Sequence, residues 1–427
     1  MLRQLIVTVM GNVDAGKTQL LDTIRNTAIV ESEPGRITQS IGCSIISTET
    51  IKKICGNLLE KHKFQIKIPG FVIIDTPGHA AFTNLRKRGG NLADIAILVI
   101  DINEGIKPQT MECIDILKQY KTPFVVALNK IDLLPGWRSS QKTGLLDSIK
   151  NQNENVMLLI EKRLYEVVGR LSELGFNAER FDRVEDYTKQ VAIIPMSAKT
   201  SEGVAELFMV ITGLSQKFLE ESLKVDVKGN AKGTVLEVKE EKGLGTTIDA
   251  IIYDGALKRN DMIVIGSLDE PIVTKVKALL EPVPLAEMRD KKAKFKAVKE
   301  VTAATGVKIS APELGNAVAG MPLRSCQPDE VQKVKDEIKK EVEEVVIETG
   351  RDGIVIKADS LGSLEALTKI LKEKNIDVKK ASIGNISKKD ISDAEASYGK
   401  EPLQTAILGF NVELMPEVKV AQNVKVL

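Results

Sequence analysis

The chain has 427 residues with 60 Lys and Arg against 59 Asp and Glu, for a formal net charge of +1. This length favours about two to four domains, and the balanced charge argues against binding of nucleic acid through a global basic field. Cys43, Cys55, Cys113 and Cys326 form no CxxC pair, so we expect buried thiols in a reducing compartment rather than a disulfide framework. With no apparent secretory signal and no apolar run of transmembrane length, we expect a cytoplasmic location.

A glycine-rich motif, GNVDAGKT, occupies residues 11–18. It follows the apolar run 5–10 and precedes residues 19–25, which have a helical pattern. A strand, a loop with GxxxxGK[ST] spacing and a helix start predict backbone N–H groups arranged around a chain of phosphates. We expect Lys17 near the outer phosphates and the Thr18 hydroxyl on Mg²⁺. The loop alone does not separate GTPases from kinases or ATPases.

The polar loop 35–42 contains Thr38. This threonine is either a turn residue or a second hydroxyl ligand for Mg²⁺ that closes over a terminal phosphate. Residues 43–51 and 64–68 are then predicted strands.

The next motif, FVIIDTPGH, covers residues 71–79. Its apolar half predicts a buried parallel strand, and Asp75 stands at the carboxyl end, where open α/β sheets bind ligands. We expect Asp75 to hold Mg²⁺ through water and the Gly78 N–H to bond the γ-phosphate. The chain has two histidines. We interpret His62 as a surface or core residue, and His79 as the residue that orients the attacking water.

Two later loops are predicted to read the base. The predicted strand 124–128 ends in the NKID motif, where the Asp132 carboxylate can accept hydrogen bonds from N1 and N2 of guanine. Adenine offers no such pair of donors, so Asn129 and Asp132 argue against an ATPase. The predicted strand 191–196 leads to the SAK motif, where a backbone N–H can reach guanine O6. The order of strands and loops therefore predicts a GTPase.

The candidate site residues come from these motifs. Those expected to bind the nucleotide are Asn12, Val13, Asp14, Ala15, Gly16, Lys17, Thr18, Gln19, Asn129, Lys130, Asp132, Ser197, Ala198 and Lys199. Those expected to act in catalysis are Lys17, Thr38, Gly78 and His79, and those expected to hold Mg²⁺ are Thr18, Thr38 and Asp75.

The loops GNVDAGKT, RITQ, DTPGH, NKID and SAK occur in the order of the translational GTPases, which this chain resembles. The motifs ITQSIG and DTPGHAAF, with segment 135–184, resemble the initiation factor 5B family, the archaeal and eukaryotic counterpart of bacterial initiation factor 2. We expect that segment to be a long helical insertion. The resemblance implies a GTP- and Mg²⁺-dependent switch that acts on both ribosomal subunits and their rRNA and promotes subunit joining. It also implies a monomer without a membrane partner.

Three further features follow from the resemblance. Asp14 is implied to help hold a monovalent cation, K⁺ or Na⁺, beside the phosphates. Asn12 stands where many relatives have His, and Arg36 where they usually have Gly. Neither departure removes a phosphate ligand, and only the Arg36 departure bears on closure of the Thr38 loop.

The remaining chain is β-rich and then mixed. From residue 233 to about 326, short apolar runs alternate with turn signals and predict a closed β-barrel. Residues 329–345 have helical spacing, and an α/β alternation follows. We expect a multidomain α/β and β fold with four parts. They are a P-loop GTPase domain with a mostly parallel sheet and flanking helices at 1–224, a β-barrel at 225–327, a linker helix at 328–345 and an incomplete α/β third domain at 346–427.

Two features bear on RNA partners. The first is the Lys-rich stretch 291–296, which is either a solvated surface or an rRNA contact.

The second is the end of the chain. The 5B family normally continues into a long helix and a final barrel that holds the initiator tRNA, and no residues here match those parts. We therefore expect a truncated chain or an unusual member that does not bind initiator tRNA by itself.

Two other functions are left open by the sequence. A GTP-dependent ribosome-binding scaffold would use the nucleotide to set affinity, with incidental turnover, and an elongation-type carrier would bind aminoacyl-tRNA. No internal arginine finger is evident, so the switch interpretation predicts slow intrinsic hydrolysis that the ribosome accelerates. Stimulation by ribosomes separates the switch from the scaffold, and protection of the tRNA ester bond tests the carrier.

Overall fold

The computed structural model describes most of the chain in separate stretches. They are residues 2–26, 42–61, 65–75, 93–140, 144–218, 223, 229–241, 244–267, 270–282, 295–343, 353–358, 374–396 and 405–415, with shorter pieces of 363–371 and 418–427. Within these stretches, no helix is long and apolar enough to cross a membrane.

Seven strands form the first sheet. They are β1 (Leu5–Gly11), β2 (Gly42–Ser47), β3 (Gly70–Asp75), β4 (Ile95–Asp101), β5 (Phe124–Asn129), β6 (Asn177–Arg180) and β7 (Gln190–Pro195). Their order is β2-β3-β1-β4-β5-β7-β6, with every pair parallel except β2 with β3. Residues of β1, β4 and β5 are buried throughout, as expected for central strands covered on both faces.

Helices accompany this sheet, and α1, α4 and α7 pack on its strands. They are α1 (Lys17–Asn26), α2 (Thr48–Cys55), α3 (Asn57–Lys61), α4 (Pro108–Gln119), α5 (Leu145–Lys150), α6 (Glu154–Glu173) and α7 (Val204–Phe218). Because β1, β3, β4, β5 and β7 are parallel, their carboxyl ends share one edge of the sheet. The predicted motifs follow these ends. The four cysteines are buried free thiols, as expected.

Two local predictions were wrong. The strand expected over residues 43–51 ends at Ser47, because the Ser47 hydroxyl accepts a hydrogen bond from the Thr50 N–H (3.3 Å) and caps α2. Residues 65–68 form no strand. Segment 135–184, expected to be helical, contains α5 and α6 but also β6, which pairs with β7 and extends the sheet.

The second sheet is antiparallel. Its strands are β8 (Lys232–Glu241), β9 (Gly245–Asp254), β11 (Met262–Ile265), β12 (Ile272–Lys275), β13 (Ala278–Pro282), β14 (Phe295–Val298), β16 (Thr305–Ser310) and β17 (Pro322–Cys326). Their order is β12-β11-β17-β8-β9-β16-β13-β14, and β10 (Ala256–Lys258) pairs separately with β15 (Glu300–Thr302). The β-rich prediction is confirmed. No hydrogen-bonded pairing among the described residues joins β12 to β14, so the predicted closure is not seen in the ladder.

The second sheet packs against the first domain through one face of β9. Ile248, Ala250 and Ile252 belong to the core of the second domain, whereas Ile251 belongs to the core of the first. A strand alternates its side chains between two faces, so each face of β9 is covered by a different domain.

The predicted linker helix is present as α8 (Val331–Glu343). Its apolar residues Val334, Ile338 and Val342 are buried in the core of the second domain. A last sheet contains β18 (Ile354–Ala358), β19 (Val378–Ile383), β20 (Ala406–Phe410) and β21 (Lys425–Val426), and helix α9 (Lys388–Glu395) packs on it. Its strands are parallel in the order β19-β18-β20-β21. The mixed α/β prediction is confirmed, and the domain boundaries stay predictions.

Candidate nucleotide-binding site

The loop after β1 requires both of its glycines. Gly11 has φ +141°, and an added Cβ would lie 2.2 Å from the Val99 carbonyl oxygen. Gly16 has φ +93°, a region that L side chains rarely adopt. Between them a single 3₁₀ turn, Val13–Ala15, leads into the first residue of α1, Lys17. The loop thus ends on a helix N-terminus, whose first backbone N–H groups have no partner within the helix and attract anions.

Lys17 lies inside this loop. Its ammonium group donates to the carbonyl oxygens of Gly11 (2.8 Å) and Asn12 (2.6 Å). The Asn12 side chain accepts from the Val13 N–H at 2.9 Å. Asn12, expected to bind the nucleotide, therefore uses its side chain to shape the loop, while Lys17 adds a positive charge beside the helix N-terminus.

Asn129 joins two loops that are far apart in sequence. It is 1% exposed. Its Nδ2 donates to the Ala15 carbonyl oxygen (2.8 Å), and its Oδ1 accepts from the Ala198 N–H (2.8 Å). The Thr23 hydroxyl on α1 also donates to the Ala198 carbonyl. Because an amide nitrogen carries two protons, Asn129 keeps one donor for a ligand after this bridge is made.

Asp132 and Ser197 form a second link between the two loops that are predicted to read the base. The Ser197 hydroxyl donates to Asp132 Oδ1 at 2.6 Å. Ser197 is buried, whereas Asp132 is partly exposed. A carboxylate accepts several hydrogen bonds, so Asp132 has capacity left for donors on a purine edge.

Lys130 covers the glycine loop with its aliphatic stem. A Cβ added at Gly16 would lie 2.4 Å from Asn129 Nδ2 and 4.0 Å from Lys130 Cε. The Lys130 ammonium pairs with Asp101 Oδ2 at 2.8 Å, and Asp101 Oδ1 accepts from the Asn103 N–H at 2.8 Å. Asp101 therefore holds the lysine over the loop.

Several predicted residues lie at the rim. Asp14, Gln19 and Lys199 are exposed, and within the described part of the chain their side chains make no hydrogen bond. The Val13 side chain is 69% exposed. Thr18 is partly exposed in the first turn of α1.

Four residues that the sequence singled out are outside the described part of the chain. They are Arg36, Thr38, Gly78 and His79. Asp75 is placed as the last residue of β3, beside Val9 of β1, and its side chain is not among those described.

Two residues that support these loops lie outside the predicted motifs. Asp101 ends the apolar strand β4 just as Asp75 ends β3, so the pattern of a carboxylate after an apolar run marks both residues. Glu202 has no such local signal. Its buried carboxylate accepts from Thr200, and its carbonyl accepts from the Ser197 N–H (2.9 Å).

Cys113 of α4 lies against the loop from the protein interior. Burial raises the pKa of its thiol to about 12, against smaller opposing effects from the Gly11 backbone and the Lys17 charge. The thiol therefore stays protonated at neutral pH and acts as a small apolar group.

Comparison with known proteins supports a nucleotide site of this kind. Residues 2–217 match the family model of the elongation factor Tu GTP-binding domain, and residues 327–426 match that of translation-initiation factor 2. The chain is 56% identical over 419 residues to a probable translation initiation factor IF-2 of Methanopyrus kandleri, covering 98% of this chain and 70% of that protein. A protein of the same name from Methanococcus maripaludis is 55% identical over 421 residues, again covering 98% and 70%.

A solved structure has a similar fold over the whole length of this chain. The crystal structure of GDP-bound aIF5B from Aeropyrum pernix superposes with a TM-score of 0.83 and 45% identity, covering 100% of this chain and 72% of that one.

Proposed function

The chain belongs to the translation-initiation factor 2 family of translational GTPases, and from this premise we propose that it promotes the joining of ribosomal subunits. GTP hydrolysis is the switch: the bound terminal phosphate orders the Thr38 loop and the segment after Gly78, and its loss releases both. The proposed partners are the small and large ribosomal subunits with their rRNA. We propose that the chain binds them as a monomer in the cytoplasm.

One observation is the main support for the proposed nucleotide site. Asn129 binds the phosphate loop at Ala15 and the SAK loop at Ala198, so the phosphate-binding and base-reading loops form one hydrogen-bonded unit. We propose that the Asp132 carboxylate accepts hydrogen bonds from N1 and N2 of guanine and that the Asn129 amide reaches the base. We also propose that a backbone N–H of the loop around Ala198 donates to guanine O6. An adenine base would leave the remaining acceptor positions of the Asp132 carboxylate without a donor from the base.

The phosphate end of the site fits Mg²⁺. Thr18 supplies a hydroxyl at the start of α1 and Asp75 a carboxylate at the end of β3, the oxygen donors that this ion prefers. We propose Thr18 and Thr38 as its hydroxyl ligands, with Asp75 holding it through water, and Mg²⁺ would neutralise charge on the phosphates during transfer. Lys17 stabilises the same charge, and Gly78 contacts the γ-phosphate. Asp14 is proposed to hold K⁺ or Na⁺ at the exposed rim.

The role of His79 can be tested against the other histidine of the chain. We expect His79→Ala to lower ribosome-stimulated hydrolysis at least about a hundredfold, as for loss of a group that positions the reacting water, with GDP affinity unchanged. His62→Ala is the matched control and should keep the wild-type rate. Full stimulated activity in the His79 variant would refute the role.

Subunit joining is tested by phosphate release from GTP with small subunits, with large subunits and with both. We expect strong stimulation by the pair and little by either alone. GTP binding without stimulated release would favour the scaffold function. Protection of an aminoacyl-tRNA ester would favour the carrier, and ATP competing equally with GTP would refute the proposed base recognition. The chain is not proposed to bind initiator tRNA.

A further inference from the structure

Glu202 lies between the guanine-reading loop and segment 135–184. Its carboxylate is buried, with 5% of the residue exposed. Oε1 accepts from the Ser140 N–H (2.9 Å) and the Ser148 hydroxyl (2.8 Å). Oε2 accepts from Trp137 Nε1 (3.2 Å) and the Thr200 hydroxyl (2.7 Å). Three of these donors belong to segment 135–184 and one to the loop that follows Ser197-Ala198-Lys199.

A chain of hydrogen bonds continues from Thr200 to Asp132. The Thr200 N–H donates to the Ser197 hydroxyl oxygen (3.1 Å), and that hydroxyl donates to Asp132 Oδ1 (2.6 Å). The Ser197 N–H donates to the Glu202 carbonyl (2.9 Å). A hydroxyl whose oxygen accepts from a fixed N–H directs its own proton elsewhere, so Thr200 aims the Ser197 proton at Asp132.

We propose that Glu202 is a positioning residue for guanine recognition. Through Thr200 and Ser197 it orients Asp132, and it ties this orientation to segment 135–184. The inference rests on the proposed function, in which Asp132 accepts the two N–H groups of guanine.

Charge explains why this position needs a carboxylate. Burial raises the pKa of Glu202, but hydrogen bonds from Ser140, Thr200, Ser148 and Trp137 outweigh it, and the pKa lies below its usual range. The ionised group can accept from all four donors. Glutamine has one acceptor oxygen and brings two N–H donors. Glu202→Gln therefore keeps the size and shape of the side chain but cannot accept all four hydrogen bonds.

The experiment compares the affinities of GDP and IDP, because IDP lacks the 2-amino group that Asp132 is proposed to recognise. We expect Glu202→Gln to lower the preference for GDP over IDP by about tenfold, the effect of one lost hydrogen bond to a charged group. Thr200→Val should lower the preference in the same direction. Glu206→Gln is the matched control: Glu206 is also buried and accepts from the Leu145 N–H (2.7 Å) of α5, and its loss should leave the ratio unchanged.

Trp137 provides a second readout, because it is the single tryptophan of the chain. Trp137 and Thr200 share Oε2 of Glu202, so GDP binding should change the Trp137 emission in the wild type. Thr200→Val keeps the contact between Trp137 and Glu202 and the backbone hydrogen bonds to Ser197, but it removes the hydroxyl that joins Thr200 to Glu202 Oε2, and should reduce this change. A response of wild-type size in Thr200→Val would argue against the link.

Asp132→Asn separates the two levels of the proposal. If it leaves the GDP-to-IDP ratio unchanged, the proposed guanine recognition is wrong. If it lowers the ratio while Glu202→Gln and Thr200→Val do not, only the positioning role of Glu202 is wrong. If Glu202→Gln weakens GDP and IDP equally, its role is structural and the inference is overturned.

Discussion

Asp101 shows how a side chain outside the predicted motifs holds one inside them. It pairs with Lys130 at 2.8 Å and keeps the lysine stem over Gly16. The Asp101 side chain is 8% exposed and that of Lys130 is 26% exposed. Solvent screens a pair this sheltered less than a pair on the surface. Loss of the pair should therefore lower the affinity for the nucleotide.

We predict that Asp101→Asn weakens GDP binding about three- to tenfold, or about 1 kcal/mol, by releasing Lys130. Asparagine keeps an oxygen that can accept from the Asn103 N–H, so the local turn should survive. Calorimetric titration with GDP measures the effect. Glu104→Gln removes the nearby exposed pair with Lys107 (3.7 Å) and should not change the affinity. Equal affinities for the Asp101 variant and the wild type would show that the pair does not position Lys130.

At the scale of elements, the Asp390 carboxylate binds Ser387, the residue that precedes α9. The Ser387 N–H and hydroxyl both donate to Asp390 Oδ2 (2.9 and 2.7 Å). Lys380 and Lys357 pair with the same carboxyl group at 2.9 and 3.2 Å. Burial raises the pKa of Asp390, but the Ser387 bonds and the two lysines outweigh it and lower the pKa to about 2.

The third domain should therefore lose stability in acid. Because the folded pKa lies below the usual value of 3.8, the carboxylate stabilises the fold above about pH 4, and this contribution is lost as the pH falls toward 2. We predict that the difference in unfolding free energy between the wild type and Asp390→Asn shrinks by about 2 kcal/mol between pH 5 and pH 2. Urea unfolding at each pH measures it. Ser387→Ala should lose less unfolding free energy between pH 5 and pH 2 than the wild type does. If the difference between the wild type and Asp390→Asn stayed the same at both pH values, Asp390 would not be the group responsible.

At the scale of the whole molecule, the second domain contributes a strand residue to the core of the first. Ile251 of β9 is buried with the first domain, and its neighbour Ile252 with the second. Ligand bound to the first domain should therefore stabilise the second as well, since any ligand that binds only the folded state raises its stability by mass action.

We predict that Ile251→Ala and Ile252→Ala each lower the free energy of unfolding by about 2–4 kcal/mol, because both side chains are fully buried. Only Ile251→Ala should reduce the shift that GDP causes in the unfolding of the second domain. Scanning calorimetry with and without GDP, using Ile252→Ala as the matched control, measures this. Equal GDP shifts in both variants would mean that Ile251 does not couple the domains.

Local motifs predicted much of the fold because their information lies in consecutive residues. The apolar runs that became β1, β4 and β5 and the helical spacing of α8 are of this kind. Predictions failed where a single side chain redirected the backbone. Ser47 ended a strand that the apolar pattern extended, and β6 joined the sheet only because β7 offered a parallel edge.

The sequence by itself determined the glycine loop after β1 and predicted the motifs proposed to read guanine, because glycine spacing and residue type within a few positions favour that chemistry. It also determined the order of α/β, β-rich and mixed regions. Tertiary structure decided which side chains join the loops. Asn129 binds Ala15 across 114 residues, and Glu202 binds Ser140 across 62. Such pairs, like the outward packing of Ile251, depend on how distant elements meet in space, and no local pattern encodes them.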